Sequence, residues 1–370
     1  MKKLIQRAFV VSVLVIMATP FLLAHREYNR VAEDENRYYA NFPDLEKDGK
    51  WNSEYIEEFE EWINDNARFR SVFRKIKTGM LYHVFDVLDW EGVGIGTNQE
   101  LFGMSSSAID LVQGRNLLSK AQLEEYEYLL YELQQWLYTE SVDFYYMTCI
   151  DKVTIMKEFY PKEIVQYDTE HVGGQIEGYI EKKARVNNIE LQEVLKSEIE
   201  NNIYYKYYDW QHWNDAGMYL GYQELMKEIQ KEHPEISYLQ LEDYTIKKDI
   251  VRKEMYGLQY PFDEEYIRYY IKEKNAEEKE TELYEQLDFK EHTHYYENEK
   301  GQKRALIIND SFIRMDMKDS LAESFKETLS VDLENLRNIK WLVKVYEPDI
   351  IILECVEGNI SSVLEMLKEI

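Results

Sequence analysis

An α/β fold is predicted for this chain: a mostly parallel sheet flanked by helices, preceded by one N-terminal transmembrane helix. Three observations carry the prediction. Apolar runs that read as buried strands cover 142–149, 305–309 and 348–357. Helical patterns lie between them, and strands alternating with helices argue for a parallel sheet. Finally, 370 residues with 45% apolar content are ample for a sizeable core, in one large domain or two smaller ones.

In chain order, residues 8–24 carry no charge and follow Lys2, Lys3 and Arg7. The cations hold residues 1–7 in the cytoplasm as a short stub and send the rest across. As a helix the run spans roughly 25 Å, just short of the bilayer core. A cleavable signal peptide is the rival, but Leu22 at the −3 position before Ala24 departs from the small-x-small pattern. The expectation is an uncleaved signal anchor with an extracytoplasmic C-terminal domain. Residues 25–50 are polar and read as a tether into the domain proper, 51–370. A helix is expected over 53–85, with Ile56, Phe59, Trp62 and Ile63 on one face. Gly92 to Gly103 reads as a loop with short strands.

Ser119 and Gln122 form a capping-box pattern opening a helix to about 138. After the 142–149 strand come a helix near 170–186 and a strand-like Ile203-Tyr204-Tyr205. Asn214 or Asp215 can cap a helix over 215–231. Residues 235–300 are charged and rich in Tyr and Glu, and read as an insertion with helical and loop pieces. Asn298 to Gly301 reads as a turn feeding the 305–309 strand. A helix is expected over Asp316 to Thr328. There is no internal repeat and no low-complexity segment.

With 71 acidic and 44 basic residues the formal charge is −27. Such a surface repels nucleic acid. It also disfavours adsorption onto an anionic bilayer through a basic patch. Cys149 and Cys355 are the two cysteines. Both follow apolar runs, so a disulfide and two buried thiols are both open.

The chemistry lies in two segments. Asp209-Trp210-Gln211-His212-Trp213-Asn214 comes first, and Asp310-Ser311-Phe312 follows about a hundred residues later. A serine hydroxyl is a weak nucleophile until a base takes its proton. His212 can be that base, with Asp209 holding the imidazole tautomer and stabilising the imidazolium. Ser311 directly follows the 305–309 run, and open α/β sheets place their sites at the carboxyl ends of strands. Its backbone N–H is a natural oxyanion donor. The bland alternative makes Asp209 and Asn214 helix caps, His212 a surface residue and Ser311 a turn serine. Lys152 can line the site or be a loop lysine, while Glu354 and Glu357 can help hold it. The 31 tyrosines and seven tryptophans can stack on a glycan or simply pack.

These segments resemble the SGNH-like acetyltransferases of the alginate O-acetylation group, AlgX, AlgJ and the DHHW proteins. Glu35-Asn36-Arg37, Phe42-Pro43, Asp65 and Phe69-Arg70 look like that family's opening region. Gly96 with Leu101-Phe102, and Asp151-Lys152 through Tyr160-Pro161, are similar to its next conserved segments. Asp209 to Gly217 resembles its D-x-H-W-N-x-x-G signature, Ala305 to Phe312 its G-D-S-F block, and Pro348 to Asn359 its closing segment. The order of Asp and His before Ser is also that group's. The departures are an extra residue between Asp209 and His212, Asn309 in place of Gly, and Glu100 in place of Trp.

The resemblance implies an SGNH-hydrolase-like sheet and transfer of acetyl onto a polysaccharide hydroxyl outside the membrane. Ser311, His212 and Asp209 are then the catalytic residues, and no metal or organic cofactor is needed. It further implies a membrane-bound O-acyltransferase (MBOAT-type) partner that exports the acetyl group. Two other readings share the sequence: an acetyl esterase with water as acceptor, and a catalytically silent scaffold that binds glycan.

Overall fold

The computed structural model describes residues 2–25, 27–32, 37–88, 92–167, 170–254, 260–314 and 317–370. Glu35, Asn36 and Asp316, named above, lie outside them. The chain divides into two compact units, one of residues 1–90 with 252–262, the other of 91–251 with 263–370.

In the smaller unit the first helix runs Lys2–Leu22. Among the described residues no helix is long and apolar enough to cross a membrane. The transmembrane helix expected over 8–24 is therefore not found. Its helical part stops at Leu22, and residues 8–22 rise only about 22 Å against a hydrocarbon core of about 30 Å. The helix expected over 53–85 is two helices, Tyr55–Asn66 and Arg70–Phe85. Ala67 is extended and Phe69 is left-handed at φ 65°, which breaks the backbone ladder between them. Phe42 packs edge-on to Trp62 with ring centroids 4.8 Å apart. Asp65 Oδ2 accepts the Ala40 N–H at 2.9 Å, fixing the preceding chain to the first of the two helices.

The larger unit is built on a seven-stranded sheet. Its strands are β1 (Asp143–Cys149), β2 (Asn188–Ile189), β3 (Glu277–Lys279), β4 (His294–Glu297), β5 (Gln302–Asn309), β6 (Phe325–Asp332) and β7 (Ile350–Val356). The spatial order is β3-β4-β6-β5-β7-β1-β2. Pairing is parallel from β6 through β5, β7 and β1 to β2, and antiparallel at the β3-β4-β6 edge. Every residue of β7 is buried, as a strand covered on both faces requires. Tyr146 bonds Tyr126 of the Lys120–Thr139 helix, Oη to Oη at 2.7 Å. Tyr145, on the opposite pleat, lies in the field of Glu228 and Glu232 of the Asp215–Glu232 helix. Helices thus cover both faces.

Three local expectations change. The helix expected over 316–328 is a short helix, Met317–Ala322, followed by β6. In this strand Phe325, Leu329 and Val331 share one face and are buried in the core, while Lys326 on the other face reaches solvent. Ile203 to Tyr205 makes a single bridge, Tyr204 to Trp213, rather than a strand. The 235–300 segment contributes β3 and β4 to the sheet and forms a two-stranded ribbon, Tyr244–Glu254 with Pro261–Ile271.

Register also settles the cysteines. Val356 is opposite Cys149, so Cys149 and Cys355 occupy opposite pleats of adjacent parallel strands and point to opposite faces. Both are buried free thiols.

Candidate active site

β5 lies between β6, which follows it in sequence, and β7, which comes later. The chain leaves β5 in one direction and returns on its other side, which creates a crevice at the carboxyl ends of β5 and β7. Ser311 opens a short helix there, immediately after β5. Asp310 fixes the turn. Its Oδ2 accepts the Val356 N–H at 2.7 Å and the Asn359 side-chain amide at 3.0 Å, and its Oδ1 accepts the Phe312 N–H at 3.1 Å. Glu354 Oε2 takes the Asp310 N–H at 3.1 Å. Burial, with Asp310 adding, pushes the Glu354 carboxyl well up. Asn309, the residue in place of Gly, bonds Ser330 Oγ at 2.7 Å and the Asp310 carbonyl at 2.8 Å. The departure from glycine therefore ties β5 to β6 rather than disturbing the turn.

The structure brings Asp209, His212 and Ser311 together. His212 Nε2 is 2.7 Å from Ser311 Oγ, and His212 Nδ1 is 2.7 Å from Asp209 Oδ2. The other Asp209 oxygen accepts the backbone N–H groups of Gln211 and His212, both at 2.9 Å. That Asx-type turn folds the three-residue spacing back on itself, so the extra residue between Asp209 and His212 still lets the carboxylate meet the ring. Trp213 lies beneath, donating from Nε1 to the Phe312 carbonyl at 3.2 Å and packing edge-on to its ring at 5.1 Å. Asn214 caps the next helix, accepting from Ala216 and Gly217 N–H groups at 2.9 and 3.3 Å. A Cβ at Gly217 would fall 2.4 Å from the Ile203 carbonyl, so the helix start closes on this loop only with glycine there.

Electrostatics follow from the geometry. Burial opposes the imidazolium of His212, but the Asp209 hydrogen bond and charge raise its pKa above the ordinary value. Burial likewise opposes ionised Asp209, yet the His212 bond and charge and the two N–H groups hold it below the usual carboxylate value. The pair thus has a base and a carboxylate whose charges support each other.

The approach to Asp209 is clamped by two buried ions. Glu264 is fully buried in the ribbon, and its oxygens accept the N–H groups of Lys206, Tyr207 and Tyr208 at 3.1, 2.7 and 3.1 Å. Lys152, also fully buried, donates to the carbonyls of Tyr205 at 2.6 Å and Leu101 at 3.0 Å, and pairs with Glu100 at 3.1 Å. Burial lowers its pKa, with Glu100 opposing. Lys152 therefore holds the loop that carries the site and neither lines the cleft nor extends into solvent. Glu100, in the position of the family's Trp, is its counter-ion.

A cleft of about 140 Å³ adjoins these residues, with Trp210, Gln211, Asp151, Val356 and Asn359 in its wall. Val356 and Asn359 are the groups that bind Asp310. Asp151 is 3% exposed, and burial pushes its carboxyl up to about 8. Its backbone N–H donates to Glu357 Oε1 at 3.1 Å, and Glu357 Oε2 accepts from His171 Nδ1 at 2.8 Å. Trp210 is the tryptophan in the wall, while most tyrosines near the site, such as Tyr204 and Tyr205, are core. Among the described residues no group of His, Cys, Asp and Glu side chains is arranged to hold a metal ion.

No protein-family model matches the chain, and no curated protein sequence matches it. Solved structures do. PatB1 of Bacillus cereus, with a sulfonyl adduct, superposes with a TM-score of 0.50 and 22% identity over 65% of this chain and 91% of that one. A DHHW family protein from Eubacterium siraeum gives 0.50 and 15% over 73% and 92%. The chain has their fold. The O-acetyltransferase domain of Pseudomonas putida AlgJ superposes more loosely, with a TM-score of 0.43 and 12% identity over 75% and 99%. At these identities the likeness is one of fold, and the resemblance read from the sequence holds at that level.

Asp151, Glu264 and Asp310 were not singled out as site residues by the sequence. Asp310 sits beside Ser311 and was within reach. Glu264 lies in the charged 235–300 segment, where nothing local distinguishes it from its neighbours.

Proposed function

We propose that the protein is an extracytoplasmic O-acetyltransferase that moves an acetyl group through an ester of Ser311 onto a polysaccharide hydroxyl. The observation that carries this reading is the unbroken hydrogen-bond path from Asp209 through His212 to Ser311 Oγ at the end of a buried parallel strand. In the first half-reaction, Ser311 Oγ attacks the acetyl carbonyl while His212 Nε2 takes its proton. The donor's leaving group departs with that proton, leaving acetyl-serine and neutral His212. In the second, His212 takes the proton of a sugar hydroxyl, whose oxygen attacks the acetyl carbon and releases Ser311. Asp209 keeps Nδ1 protonated and balances the imidazolium. The Ser311 backbone N–H serves the oxyanion.

PatB1 shares this fold and has been seen with a sulfonyl adduct. Ser311 is the residue we expect to accept such an electrophile here. The donor is a membrane-bound O-acyltransferase partner. The Lys2–Leu22 helix, whose Phe9, Leu14 and Val15 are exposed, holds the protein at the membrane beside it.

The test uses the full chain in detergent with an activated acetyl ester. Intact-mass spectrometry should show one added acetyl group in wild type and none in Ser311→Ala or His212→Ala. Net acetylation of an added glycan, beyond acetate release, marks transfer rather than hydrolysis. An unlabelled wild type with no ester turnover would leave the silent-scaffold reading in its place.

A further inference from the structure

The net charge of −27 conceals a strong asymmetry. Residues 1–90 carry 13 Lys and Arg against 15 Asp and Glu, or −2, so the remaining 280 residues carry −25. Within that near-neutral stretch the Arg70–Phe85 helix has Arg70, Arg74, Lys75 and Lys77 and not one acid.

The same helix is amphipathic in an unusual sense. At 100° per residue, Val72, Phe73, Ile76, Met80 and Val84 fall within an arc of about 120°. All five are exposed, each by 48% or more. The helix buries Thr78 and Tyr82, which lie opposite that arc, and Tyr82 packs edge-on to Phe262 at 5.0 Å. Exposed Lys77 borders the stripe on one side, with half-buried Arg70, which pairs with Asp65 at 3.9 Å, just behind it. Arg74 and Lys75 lie farther round, about 80° and 60° beyond the two edges. A monomer rarely leaves so continuous an apolar stripe in water. An apolar arc lined by long cations is the pattern of a helix lying in a bilayer interface, its Lys and Arg stems reaching up to headgroup phosphates.

Position within the unit supports a lipid occupant. The His25 N–H, just past the Lys2–Leu22 helix, donates to the Asn66 carbonyl at 3.0 Å, and an Arg68 Nη1 lies 2.8 Å from His25 Nε2. The end of the exposed apolar N-terminal helix thus adjoins the start of the basic one. We propose that the Arg70–Phe85 helix lies in the interface of an anionic lipid bilayer, its apolar stripe among the acyl chains and its cations on the headgroups. The overall charge, which argues against a basic membrane patch, averages this helix away. The inference stands whether or not Ser311 becomes acetylated.

The experiment places an environment-sensitive fluorophore at Ile76→Cys in the full chain. Cys149 and Cys355 are buried, so the new thiol is the one labelled. A second label at Tyr128→Cys, exposed in the larger unit, is the control. Vesicles of phosphatidylcholine with phosphatidylglycerol should shift the emission at position 76 to the blue and leave 128 unchanged. Molar salt should reverse much of the shift, because headgroup attraction is screened. Lys75→Gln with Lys77→Gln should weaken the response roughly 25-fold, about fivefold for each cation removed. Vesicle binding without a shift at 76 would assign attachment to the N-terminal helix alone and overturn the proposal. An equal shift on pure phosphatidylcholine would remove its anionic half. A lipid-independent shift that grows with protein concentration would mean that a second copy covers the stripe, and overturn it too.

Discussion

Replacing Asp209 with Asn separates positioning from packing at the candidate site. The two backbone N–H groups that Asp209 Oδ1 accepts can still be met by an amide oxygen, so the loop turn survives. The change falls on the 2.7 Å contact with His212 Nδ1. An amide nitrogen there donates, so the imidazole turns over its tautomer and presents Nε2–H to Ser311. Nε2 can then no longer accept the serine proton. The loss expected for a wrong-tautomer base is about 10⁴-fold, or about 5.4 kcal/mol of barrier. The assay is the rate of Ser311 acetylation by an activated ester, followed by intact mass across pH. In wild type the rate should rise with pH through a His212 value above the ordinary imidazole value, because Asp209 raises it against burial.

The sign of the stability effect is equally defined. His212 titrates higher folded than unfolded, so its stabilisation is full below the unfolded value and is lost as pH rises through the folded one. Asp209 titrates lower when folded, so its share is present above the ordinary carboxylate value and is lost as pH falls through the folded one. Asn at 209 should flatten the stability profile at both ends. Acetylation of Asp209→Asn at the wild-type rate, with an unmoved pH profile, would refute the assignment of Asp209 to the histidine.

Further outcomes follow from the buried ions. Lys152→Met strands the Tyr205 and Leu101 carbonyls and leaves Glu100 without its cation, and should cost about 3–5 kcal/mol in urea unfolding. Glu264→Gln has one acceptor oxygen where three N–H groups need two; it should lose about 1–3 kcal/mol for each donor left bare and slow acetylation without moving the His212 limb of the pH profile. Asp151, pushed up to about 8 by burial, favours the protonated folded form, so its own contribution to stability should decline as pH rises from about 4 towards 8. Asp151→Asn keeps the Val153 N–H bond and should unfold later than wild type at pH 8 but not at pH 4, as urea midpoints would show.

The parts of this molecule that were legible in the sequence are those whose signal is local. β1, β5 and β7 are continuous apolar runs, and the Ser119 and Asn214 caps sit where their side chains put them. Asp209, His212 and Ser311 could be proposed because each lies beside such an element. β6 was hidden because Lys326-Glu327-Thr328 interrupts its apolar positions and the strand begins only two residues after a helix. Glu264 was hidden because its meaning depends on a loop nearly sixty residues earlier. The Arg70–Phe85 stripe was hidden in a different way: its apolar residues have helical spacing, which reads equally well as a face turned to the core.

Lys152 and Glu264 show what the site demands of the fold. A buried ammonium or carboxylate is a poor source of stability, since an apolar pair of similar volume often does as well or better. Yet both are placed on the same four residues, 205–208, one taking the carbonyls and the other the N–H groups. Of the same segment, the Lys206 carbonyl also accepts the Leu101 N–H at 2.9 Å. Apolar packing cannot supply those hydrogen bonds, which act with the Lys152 N–H to Gln211 carbonyl bond at 3.0 Å in holding the loop that carries Asp209 and His212. The two ions fix, from both sides, a stretch of backbone that the sheet does not reach. The position of His212 against Ser311 rests on them together with the strand that ends at Asn309.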